Sequence, residues 1–74
     1  MTDPGETLIY IRERDVTPEC WWPADATAVA PGTYKVSRVP PDRPLEFGVG
    51  DLVRCEMRAF PDGSEALLAI GVPR

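Results

Sequence analysis

Apolar and polar residues alternate along much of this chain, with the two-residue period of β-strands. The cleanest run is Leu52 to Phe60. There Val53, Cys55, Met57 and Ala59 form an apolar face, and Arg54, Glu56 and Arg58 a wet one. Glu65 to Val72 is a return strand, and Pro61-Asp62-Gly63-Ser64 between them carries turn residues. Together they predict a β-hairpin. Thr7 to Arg14 reads as a strand with Ile9 and Ile11 on one face and Leu8 and Tyr10 on the other. Apolar residues on both faces predict that its first half is covered on both sides. Thr33 to Val39 alternates Tyr34, Val36 and Arg38 against Lys35, Ser37 and Val39, after a Pro31-Gly32 turn. Ala26 to Ala30 is a weaker strand, because alanine is a poor strand former.

Two segments break the alternation. Thr17-Pro18-Glu19 has the features of a helix start: a capping hydroxyl, a proline for the first helical position and an acid for the positive end of the dipole. Pro23 closes that window, so at most one short helical turn is predicted near residues 18–22. Pro40-Pro41-Asp42-Arg43-Pro44 cannot donate to a ladder and predicts an extended surface loop.

Four or five short strands, almost no helix and frequent turns predict an all-β domain. Closure into a small barrel of about five antiparallel strands removes the exposed edges that invite aggregation. An SH3-like barrel fits the long irregular connection over residues 15–32, and an OB-like barrel is the alternative. The stretch Leu45-Glu46-Phe47-Gly48-Val49-Gly50-Asp51-Leu52-Val53 resembles the turn that opens a strand in many SH3-like modules. Residues 1–6 are expected to form a flexible arm, and residues 7–74 a single domain.

Length limits the stability of such a domain. A 74-residue chain buries only about 60% of the surface its unfolded form exposes. Twelve acids against eight bases give a net charge of -4. That balance opposes a nucleic-acid binder, which needs a basic face, and opposes an anionic membrane surface. A protein partner with a basic surface suits it better. The apolar runs are far shorter than a membrane span. The opening Met1-Thr2-Asp3-Pro4-Gly5-Glu6 lacks the basic start and apolar middle of a secretory signal, so a cytoplasmic protein is expected. Seven Arg against one Lys, with abundant Ala, Pro and Gly, match a GC-rich bacterial genome. In a reducing compartment Cys20 and Cys55 are expected to be two buried thiols.

The chemistry available is narrow. The chain has no His, so the usual neutral-pH base and the Ser-His and Cys-His nucleophile pairs are missing. Two distant cysteines without a C-x-x-C pair do not make a zinc site, and no phosphate-binding loop is present. No catalytic residue, metal or cofactor is expected. Trp21 and Trp22 are the most informative residues, because Trp, Tyr and Arg concentrate binding energy at interfaces. Adjacent tryptophans point in different directions, so one is expected to anchor the core and the other to meet solvent. Arg12 and Arg14 share a strand face, as do Arg54 and Arg58, and these arginines are expected to pair with Glu56, Glu65 or Asp15 across strands.

These observations predict a non-catalytic module that docks on another protein through Trp21, Trp22, Tyr10, Arg54 and Arg58. On this reading Trp22→Ala would leave the fold intact. A small-ligand site at an open barrel end is the alternative, and a nucleic-acid-binding barrel a third. A free edge strand could also pair two copies into a homodimer.

Overall fold

In a computed structural model, which describes residues 6–73, the chain runs as five strands and no helix. They are β1 (Glu6–Arg12), β2 (Trp21–Ala30), β3 (Thr33–Arg38), β4 (Leu52–Ala59) and β5 (Glu65–Gly71). Each pairs antiparallel with the next in sequence, and β5 returns to β1 to close a barrel. That last seam is parallel, held at Tyr10 opposite Leu68. With an odd number of alternating strands the first and last run the same way, so closure of a five-strand meander must be parallel. The order is consecutive throughout, without the Greek-key path of an OB barrel, and is consistent with the SH3-like expectation. Of the expected arm, residues 1–5 lie outside the described residues, and Glu6 opens β1.

The core follows from the two-residue period. Ile9 and Ile11 from β1, Ala24 and Ala26 from β2, Val36 from β3, Val53 and Cys55 from β4 and Ala69 from β5 all point inward and are buried. Leu45, on the loop between β3 and β4, closes one side of this cluster. Small residues predominate on β2 because the centre of a five-strand barrel is too narrow for large side chains from every strand.

Turn chemistry sets the connections. Gly32, Gly50 and Gly63 all have positive φ, which glycine adopts at little cost. Asp51 accepts the Gly48 N–H through Oδ2 at 2.8 Å, and the same turn is tied to β3 by Gly50 N–H to Val36 O at 2.8 Å. The proline-bearing loop is held to the end of β1: Arg14 N–H donates to Pro44 O at 2.7 Å and Glu46 N–H to Arg12 O at 3.0 Å. In the β4–β5 hairpin, Asp62 Oδ1 accepts both the N–H and the hydroxyl of Ser64.

Four expectations are corrected. The segment 18–22 is not helical; Trp21 and Trp22 begin β2, opposite Arg12 and Ile11. Pairing with β1 gives these backbone groups ladder partners that a single helical turn could not. Pro23 is tolerated there because the described pairing of β2 with β3 starts only at Asp25. The apolar face of β4 is buried only over Val53 and Cys55. Met57 is 60% exposed and Ala59 is also exposed, because the hairpin runs on past the barrel. Leu8 is 52% exposed, so the first half of β1 is not covered on both sides. Finally, Cys20 is exposed while Cys55 is buried, and both are free thiols.

Candidate binding surface

The two tryptophans face opposite ways. Trp22 lies on the inward side of β2, half-buried and packed on the core cluster. Its indole Nε1–H donates to Glu13 Oε1 at 2.7 Å. The Arg43 guanidinium lies 4.1 Å above the ring centroid, and its Nη1 is 3.9 Å from Glu13 Oε1. Trp22 is therefore the anchor of the pair, locked by a carboxylate at its edge and a cation on its face.

Trp21, one residue earlier, points outward. It shares a groove with Tyr10, Phe60, Ala66 and Leu68, with Ser64 and Glu65 at the rim. The groove encloses about 340 Å³. Its construction follows from register. Tyr10 is on the outer face of β1 and pairs with Leu68 across the seam, while the hairpin end brings Phe60 and Glu65 alongside. Leu68 is only 2% exposed yet stands outside the central core cluster. A leucine is thus buried on the outside of the barrel, beneath aromatic rings.

The expected site residues are therefore divided. The structure brings Tyr10 and Trp21 together and sends Trp22 to the other side of the sheet. Arg54 and Arg58 lie on the outer face of β4, Arg58 opposite Ala66 in the ladder, but neither lines the groove. Nor do they form the expected cross-strand ion pairs among the described residues. The arginines that do pair are Arg12 with Glu46 at 2.7 Å and Glu19 at 3.7 Å, Arg38 with Asp25 at 4.0 Å, and Arg43 with Glu13. Glu46 holds the Arg12 guanidinium in its charged form, raising its pKa above the ordinary value. The Nε of Arg54 is buried without a hydrogen-bond partner.

Phe60 and Leu68 were missed by sequence reasoning. Phe60 is the residue before Pro61, and its place at the hairpin end is the signal that could have found it. Leu68 could not be found, because Leu67, Leu68 and Ala69 form an unbroken apolar run in which alternation does not say which residue faces outward.

A second groove of about 280 Å³ lies between Leu8 and Pro23 and the segment Val39-Pro40-Pro41. No group of three or more metal-ligating side chains occurs among the described residues. No described helix is long and apolar enough to cross a membrane. No known family model, curated protein or solved structure matches the chain.

Proposed function

We propose that this protein is a non-catalytic module that docks on another protein through the groove between β1, β2 and the β4–β5 hairpin. One observation carries the reading: Tyr10, Trp21 and Phe60 are gathered on the outer face of the barrel, over Leu68, with the Trp21 ring partly open to solvent. A small barrel needs its large side chains inside, and this one directs three of its aromatic residues outward. Tyr and Trp are the types that carry most binding energy at protein interfaces. The net charge of -4 supports a partner with a basic surface, since opposite fields speed encounter.

The test compares wild type with Trp21→Ala. Each variant, immobilised, is offered to host extract; any protein retained is identified, purified and its affinity measured. Truncation of a central tryptophan is expected to cost about 2 kcal/mol, roughly 30-fold in Kd. Circular dichroism should show Trp21→Ala folded, because the ring lies outside the core. Equal affinity of the two proteins for the purified partner would remove the groove from the interface.

A further inference from the structure

The barrel already contains one arginine-binding site, occupied by its own Arg43. Trp22 offers its ring face to that guanidinium at 4.1 Å, and Glu13 accepts from the indole edge while facing the same cation at 3.9 Å. A flat cation on an indole face, with a carboxylate beside both, is a combination that suits arginine better than lysine.

On the opposite face the same components recur without the cation. Trp21 is flanked by Tyr10 and Phe60, with Glu65 at the groove rim. The Trp21 indole N–H donates to no group among the described residues, whereas that of Trp22 is engaged. The chain's own cations do not fill the space. Arg12 stands opposite Trp21 in the ladder but is turned to Glu46 at 2.7 Å and Glu19 at 3.7 Å. Arg58 stands opposite Ala66 and is not among the lining residues. Glu56, opposite Leu68 on the outer face, adds a second carboxylate next to the groove.

Resting on the docking reading above, we propose that the groove takes an arginine side chain from the partner, its guanidinium against the aromatic rings and paired with Glu65. Rings alone would accept any apolar group. The carboxylates and the overall acidic charge favour a cation, and three aromatic walls favour a flat one that can stack.

The probe is a short peptide, acetyl-Gly-Arg-Gly-amide, titrated at millimolar concentration while amide, indole and methyl signals are followed by NMR. Its control carries citrulline, which has nearly the same shape and no charge. The arginine peptide should shift the signals of Trp21, Tyr10, Phe60 and Leu68, and the citrulline peptide should bind at least threefold more weakly. Glu65→Gln removes an exposed charge without touching the core and should lower arginine affinity by a similar factor, with the difference shrinking as salt rises. Trp21→Ala should abolish the shifts. Equal binding of both peptides in the groove would overturn the arginine assignment while leaving an apolar docking site standing. Shifts centred instead on Glu19, Glu46 or Asp25 would also overturn it, as would no shift at all. Capture of a partner that is lost in Trp21→Ala tests the docking reading independently of either result.

Discussion

Replacing Trp22 with alanine is expected to remove most of the barrel's stability. The ring packs on the core cluster next to Ile11's position in the ladder, and truncating a core tryptophan costs about 3–5 kcal/mol. Because Trp22 is half-buried, the lower end applies, about 3 kcal/mol. A single core of this size supplies only about 3–5 kcal/mol in total, so the loss is most of what holds the barrel closed. Part of that loss is polar. The indole donates to Glu13, whose side chain is only 11% exposed, so the carboxylate would lose its closest donor and the ring that holds Arg43 over it. Trp22→Phe separates the contributions. It keeps most of the apolar volume and removes the N–H, and is expected to cost about 1.5–2 kcal/mol, the low end of the range for a hydrogen bond to a charged group. Urea unfolding followed by circular dichroism reads both variants, and Trp21→Ala serves as the matched control. Trp22→Ala within 1 kcal/mol of wild type, or less stable Trp21→Ala than Trp22→Ala, would refute the assignment of inward and outward rings.

Four further outcomes follow from the same geometry. Ile9→Val should cost about 1 kcal/mol and the neighbouring Leu8→Ala less than about 0.5, because Ile9 is fully buried and Leu8 is 52% exposed; denaturation midpoints decide it. Cys20 should react with a thiol reagent in the native state and Cys55 only on unfolding, as mass spectrometry after timed labelling would show. Burial pushes the Cys55 thiol up to about 11 from 9.0, so the unfolded state loses its proton first; the stability this thiol contributes is full below about pH 9 and falls as pH rises toward 11, a decline that Cys55→Ala should lack. Hydrogen bonds from the Ser64 hydroxyl and backbone N–H hold the Asp62 carboxyl below its ordinary value, so the turn is stabilised above the usual carboxylate range and loosens as pH falls through the lowered value; amide shifts of Gly63 and Ser64 should follow that titration, and Asp62→Ala should abolish it.

Much of the barrel was legible because its strands face water on one side, and alternation marks such strands directly. The hairpin is the clearest case, with Val53 and Cys55 inward and Arg54 and Glu56 outward across a Pro-Asp-Gly-Ser turn. Alternation says which residues share a face but not how far the barrel extends, so Met57 looked like core and is not. The segment around Trp21 was misread because Thr17-Pro18-Glu19 carries a local helix signature, while the competing ladder with β1 pairs Trp21 with Arg12 and Trp22 with Ile11, well outside that local window. Tertiary pairing overrode local preference there. The groove was only half legible. Tyr10 and Trp21 drew attention as residue types, but their meeting with Phe60 and Leu68 depends on a parallel seam held at Tyr10 opposite Leu68, which no local pattern encodes.

That seam is also where the account can be tested most directly, since without it there is neither a closed barrel nor a groove. Nuclear Overhauser spectra of the protein in solution should show the Leu68 methyls in contact with the Tyr10 ring, across β5 and β1. Leu68 methyls that contact only β4, with a freely exposed Tyr10 ring, would mean an open sheet and would contradict both the fold and the docking surface built on it.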